Sequence, residues 1–141
     1  MDEGLRHRMI FHGAVVILLG LIAGFPFALV VTGDLEGEVR AWRMAHLEGV
    51  LNGMLVIAVA AAATRFTLSA GKQALLAWSL IPMAYGNVVA SVLGASFGVR
   101  GLAPTTPAMN LIVYGLFMLA VVGIFVGIGL VVQGARSTSR S

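Results

Sequence analysis

The residues best able to do chemistry lie in one stretch, Trp42-Arg43-Met44-Ala45-His46-Leu47-Glu48-Gly49-Val50-Leu51-Asn52-Gly53. It opens charged, sets a histidine and an asparagine six positions apart, and leads into apolar chain that continues to Ala60. A polar side chain carried into hydrocarbon has to be satisfied by a neighbour, water or a cofactor, so each one there is a functional candidate. On a helix, Gly49 and Gly53 fall within about 60° of His46, which therefore stands beside a strip without side chains. A flat ligand could lie on such a strip, and neutral imidazole is a common iron ligand. A histidine near a membrane interface could also simply bond a backbone carbonyl or Glu48, and helix geometry leaves both roles open.

Asn52 points about 120° away from His46, so one helix does not bring the two to one pocket. The asparagine either ties helices together or faces a pocket shared with another copy. Asn87, with Tyr85 and Ser91 nearby, could supply further donors, whereas Asn110 reads as a cap or helix tie. Arg43 and Arg100, near the outer interface, could pair with haem propionates or snorkel to headgroups. His12 and His46 should differ in depth by roughly 20 Å, too far to clamp one haem. If His46 binds haem, the open face of the iron suits substrate activation better than simple electron transfer. The acidic loop of Asp34, Glu36 and Glu38 reads as a solvated linker, since no histidine pattern accompanies it.

The elements that must position these groups are membrane spans. Of 141 residues, 59% are hydrophobic and 11% charged, with a mean hydropathy of +0.97; soluble domains carry about 25% charge. Spanning a bilayer takes about 20 apolar residues, and four stretches qualify. Helices are expected at about 9–32, 41–64, 73–98 and 108–133, with Pro82 a kink in the third and a polar, frayed tail over 135–141. The expected architecture is thus a single all-α transmembrane domain over 1–141, a four-helix bundle. The start Met1-Asp2-Glu3 is unlike a secretory leader, so the first helix should be retained. Four spans put Arg6, Arg8, Arg65, Lys72, Arg136 and Arg140 on one side, against Arg40, Arg43 and Arg100. By the positive-inside rule both termini are then cytoplasmic.

The absence of cysteine excludes disulfides, thiolate metal sites and covalently attached haem. The net charge of +3 is scattered over loops and ends, which leaves no nucleic-acid footprint. Each helix carries one Gly-x-x-x-Gly, at Gly20/Gly24, Gly49/Gly53, Gly94/Gly98 and Gly123/Gly127. Small residues one turn apart let helices approach closely, within a bundle or between copies.

Arg8-Met9, His12-Gly13, Ala45-His46, Leu51-Asn52-Gly53-Met54 with the apolar run behind it, Asn87-Val88 and Arg100-Gly101-Leu102 together resemble the bacterial styrene oxide isomerases. The likeness extends over most of the chain and is densest in helix 2. It implies a homotrimer in the bacterial inner membrane, with haem b at the subunit interfaces and His46 as its ligand. It also implies a small hydrophobic epoxide as substrate, converted to an aldehyde by ferric iron acting as a Lewis acid, with Asn52 binding it. In that picture His46 of one copy and Asn52 of a neighbour face opposite sides of one haem. Where the family has an active-site tyrosine on helix 3, this chain has Ser91, and Tyr85 replaces the tryptophan before the shared Asn87. The expected site is therefore Asn52, Tyr85 and Ser91 for chemistry, with His46, Gly49, Gly53, Arg43 and Arg100 for haem. Two other readings compete: a haem-binding membrane protein without this chemistry (a sensor, carrier or complex subunit), and a structural or transport-like oligomer assembled through its glycines.

Overall fold

A computed structural model describes residues 1–138. Four α-helices follow one another as α1 (Glu3–Thr32), α2 (Val39–Ala62), α3 (Ala70–Phe97) and α4 (Ala108–Thr138), with a 3-10 turn at Ala63–Arg65 after α2. There is no strand among the described residues. All four helices are long and apolar enough to cross a membrane, so the chain is an integral membrane protein. Asp2 donates its backbone N–H to Gln73 Oε1 at 2.9 Å, and Thr67 N–H donates to the Gly134 carbonyl. The start of α1, the start of α3 and the end of α4 therefore lie on one side of the bundle.

Helix boundaries differ from the hydropathy reading chiefly at the ends. α1 begins six residues before position 9, because helix formation needs a cap rather than apolarity: the Asp2 carboxylate accepts the Leu5 N–H at 3.0 Å, and Arg6 pairs with Glu3 one turn on at 3.4 Å. α4 passes the expected end at 133 and continues to Thr138, held where Gly134 lies against Phe66 and Leu68. The part of the expected frayed tail at 135–138 is thus helical, while residues 139–141, Arg140 among them, lie outside the described residues. The helix of α3 runs on through Pro82 and ends at Gly98, whose φ of 65° is the left-handed geometry that suits glycine at a helix C-terminus.

α3 is the central helix. It packs on α1, α2 and α4, and 56% of its most apolar stretch is buried, against 22% for α1 and 17% for α4. α4 lies chiefly on α3, where Gly123 and Gly127 let it approach Ser79, Leu80 and Met83. The other intimate pair is α1 with α2. A methyl group on Gly20 would stand 2.8 Å from the Gly49 Cα, and one on Gly13 would stand 2.9 Å from the Gly53 carbonyl oxygen. The backbones are in contact there, which is how helices associate where lipid supplies no hydrophobic drive. α1 and α3 are joined by a polar tie inside the span, His12 Nδ1 to the Tyr85 hydroxyl at 3.0 Å, with the two rings edge to face.

Gly20→Ala is expected to push α1 off α2 and to lower stability by about 1–3 kcal/mol, read as a fall in the thermal midpoint of the detergent-solubilised protein. Gly115→Ala, where an added methyl meets nothing within 4 Å, should be neutral or stabilising, because alanine is the better helix former. Tyr85→Phe should lower stability by about 0.5–1.5 kcal/mol through loss of the tie to His12; an unchanged midpoint would mean that the tie contributes nothing.

Candidate functional site

The close approach of α1 to α2 decides what His46 can do. Its ring lies over α1, with Nδ1 2.9 Å from the Gly20 carbonyl and the space above Gly24 filled by the imidazole. Phe27 lies nearly parallel to it, with ring centroids 6.2 Å apart at 13°. A carbonyl can only accept, so Nδ1 carries the proton and donates it. That fixes the tautomer and leaves the Nε2 lone pair free, as in metal-binding histidines whose other nitrogen is held by a backbone carbonyl. The plain role foreseen for His46, a bond to a carbonyl, and the ligating role thus prove compatible, since the first prepares the second.

Gly49 and Gly53 are a correction. Both are fully covered by α1, Gly49 by the Gly20 backbone and Gly53 by Gly13 and Ile17. The strip without side chains is occupied by a helix, so in this chain it cannot be the bed of a flat ligand. Neither cavity is bordered by His46, and its half-buried ring lies in the seam between α1 and α2. Arg43 stands one turn toward the loop end on the same flank of α2 and is exposed.

The opposite flank of α2 carries a second set of groups. Asn52 Nδ2 donates to Glu48 Oε2 at 3.3 Å, both half-buried and one helical turn apart. Two turns and one turn before Glu48 on this flank come Ala41 and Met44, which border a cavity of about 200 Å³ closed by α3 and α4. Its floor is made of small residues of α3, Ala90, Ser91, Gly94 and Ala95, and its wall includes Phe117 of α4. Arg100 stands at its rim with Glu38 and Arg40. Ser91 is 6% exposed, and its hydroxyl is buried without a hydrogen-bond partner. A buried polar group left unmatched costs about 1–3 kcal/mol, so this hydroxyl is a natural contact for a ligand.

The expected site residues therefore fall into three places. His46 and Arg43 occupy one flank of α2. Asn52, Ser91 and Arg100 occupy the other, joined by Glu48, which sequence reasoning had treated only as a partner for His46. Its spacing of four from Asn52 was the signal that could have found it. Tyr85 stands in the third place, between α1 and α3, where its hydroxyl bonds to His12. His12 lies eight to twelve residues along α1 from Gly20 and Gly24, which puts the two histidines about 12–18 Å apart in depth. That is somewhat less than the roughly 20 Å expected from helix ends, because the Gly20–Gly49 contact sets the register. Asn110 ties the loop before α4 together, accepting from Gly101 N–H and donating to the carbonyls of Ala103 and Thr105. The acidic loop gathers no metal-binding group among the described residues.

Comparison with known proteins bears on the same framework. The hydroxylaminobenzene mutase HabB of Ectopseudomonas oleovorans is 29% identical over 100 residues, which are 71% of this chain and 57% of that protein. The chain thus spans a little over half the length of this curated relative. The sequence model of the family described as styrene oxide isomerase matches residues 5–136, which takes in all four helices and both flanks of α2. With nearly its whole length accounted for in this way, the chain belongs to the styrene oxide isomerase family.

Proposed function

We propose that this protein is a haem b-dependent membrane isomerase that converts a small apolar epoxide to an aldehyde. In this reading it works as a homotrimer in the bacterial inner membrane with both termini cytoplasmic. The observation that carries the reading is the division of polar groups between two flanks of α2: a histidine with a free Nε2 on one, and an asparagine–glutamate pair beside a cavity on the other. Half-buried polar groups facing hydrocarbon are expensive, so both flanks are better explained as covered than as lipid-exposed. A head-to-tail ring of copies sets one flank of each chain against the other flank of the next, and such rings close with cyclic symmetry. Each interface then has His46 and Arg43 from one copy and Asn52, Ser91 and Arg100 from its neighbour. The orientation follows from the basic residues of the end that holds the start of α1.

The residues of the His46 flank fit a haem in their donor set, since the Gly20 carbonyl holds Nδ1–H and leaves Nε2 as a neutral nitrogen ligand. Arg43, with Arg100 of the adjoining flank, would pair with the propionates. Ferric haem, when bound, supplies a Lewis acid for an oxygen lone pair. The chain does the rest. Asn52 keeps a second amide N–H for the epoxide oxygen, a donor whose bond strengthens as negative charge builds there. The bond from that oxygen to the benzylic or equivalent carbon breaks, with its electron pair going to oxygen. A hydride then moves with its own pair from the carbon that keeps the oxygen to the carbon that lost it, and the carbonyl forms with no atom gained or lost. Apolar walls such as Met44 and Phe117 keep water from adding to the electron-poor carbon.

The name of the mutase relative favours a second substrate within the same reading, an aryl hydroxylamine, whose rearrangement likewise breaks a weak bond to oxygen beside an aromatic ring. Both substrate classes belong in one turnover screen.

An absorption spectrum of the protein purified from haem-supplied cells should show a strong Soret band that disappears or shifts in His46→Ala. A colourless, correctly folded wild type would remove the haem reading, and a haem protein turning over neither substrate would leave the non-catalytic one. Asn52→Ala should retain haem and lose about 10²–10³ in kcat. Co-expressing His46→Ala and Asn52→Ala chains in equal amounts should restore about a quarter of wild-type activity if each site takes one flank from each of two copies; a site within one chain would give none.

A further inference from the structure

One cavity is bordered by none of the polar residues on either flank of α2. It is a cleft of about 440 Å³ between α1 and α3, reaching from Leu19 and Val88 to Pro26, Leu93 and Trp42. Apart from the Trp42 indole nitrogen, every side-chain atom on its walls is carbon. That nitrogen has no hydrogen-bond partner among the described residues. The hydrogen bonds that tie the start of the chain and α1 to α3, Asp2 with Gln73 and His12 with Tyr85, both precede the cleft along the two helices. Along the cleft Ile22, Phe25 and Val89 are 52%, 71% and 42% exposed, so it opens sideways, where a spanning chain meets hydrocarbon.

What fills such a cleft follows from its walls. A buried water needs about two to four polar partners, and these walls offer one donor. Apolar cavities stay dry and accept hydrocarbon, as one of about 150 Å³ accepts benzene. A second copy is a poor occupant, because helices associate in lipid through small residues and polar contacts, and Ile22, Phe25 and Val89 at the rim supply neither. A lipid chain fits. From Leu19 to Pro26 the helix rises about 10 Å, inside the half of the hydrocarbon core, about 15 Å deep, on the side of the α1–α2 loop. Trp42 stands in the first turn of α2, at the level where tryptophans meet the membrane interface. We propose that the cleft binds one phospholipid, with an acyl chain lying between α1 and α3 and an ester carbonyl accepting the Trp42 indole N–H. The site depends on neither haem nor the isomerase reading.

Counting the phospholipid that stays with the full-length protein through detergent purification, by mass spectrometry, tests this without turnover. The wild type should keep a phospholipid on each chain. Val92→Phe, which fills the cleft, should lower retention by about tenfold or more, since a ring and an acyl chain cannot share one close-packed space. Trp42→Phe keeps an aromatic ring and removes the donor, and should lower it by about threefold or more. Val122→Phe, which enlarges an exposed side chain on α4, should leave it unchanged. A wild type stripped of lipid, equal retention in wild type and either cleft variant, or an equal loss in Val122→Phe overturns the proposal. A second readout does not depend on the variants folding. A phospholipid with a diazirine midway along one chain, reconstituted with the wild type in nanodiscs, should label 19–26 and 88–93 in preference to the exposed stretch 118–125. Labelling spread evenly over the exposed helix faces, or crosslinks from the cleft to a second copy in place of lipid, also overturns it.

Discussion

The contact of the Gly20 and Gly49 backbones governs this molecule. Two helices inside hydrocarbon gain nothing from burying apolar side chains against each other, since lipid is as apolar as they are, and only close fit and polar contacts hold them. Removing side chains at Gly13, Gly20, Gly49 and Gly53 lets α1 and α2 meet backbone to backbone. The register fixed there places the Gly20 carbonyl opposite His46. An intrahelical carbonyl keeps a second lone pair after accepting its helix bond, and the histidine uses it. A packing contact thus sets the protonation pattern of a side chain, with Nδ1 protonated and Nε2 open.

The polar groups of the spans sort by how completely they are satisfied. His12 and Tyr85 satisfy each other between α1 and α3. That pair accounts for the phenol and for one nitrogen of His12. His46 is satisfied on one nitrogen only, Asn52 and Glu48 share one weak bond, and the Ser91 hydroxyl has no partner. Incomplete satisfaction in a low-dielectric setting is expensive; among the described residues it falls on both flanks of α2, on the second ring nitrogen of His12 and on Asn87, whose amide reaches only the Met83 sulfur at 3.9 Å. What sets the flanks of α2 apart is that several such groups gather there, on one of them beside a cavity.

How much of this was legible in the sequence depends on the range of the physics involved. The four spans are written in hydropathy, a property summed over some twenty residues, and they read through correctly to within a few residues at most ends. Helix ends are set by single caps and contacts, Asp2 at one and Gly134 at another, so there hydropathy misled. The 120° between His46 and Asn52 was also legible, being a matter of helix geometry. What lay on each flank was not. Gly49 and Gly53 looked like room for a ligand because periodicity gives the face but not the neighbour on it, and the neighbour is α1. Tyr85 was a free phenol in the sequence and is a bonded one in the fold, because its partner His12 is 73 positions away. Glu48 was in view only as one of two possible partners for His46; the histidine takes the other, a carbonyl, and Glu48 takes Asn52.

The division of polar groups across α2 also bears on the proposed assembly. A single four-helix chain has too few helices to enclose a large ligand while keeping its glycine contacts, as α1 shows by filling the strip beside His46. In the proposed ring, two flanks from adjoining copies would enclose more volume than one chain can. The cost is that neither flank is complete alone: His46 would open toward lipid, and Glu48 and Asn52 would have only their one shared bond. Those unmet groups are themselves an argument against the isolated protomer, since association that covers them removes two polar exposures per interface. In the proposed assembly the chemistry and the association would have one origin, the refusal of hydrocarbon to solvate what α2 carries.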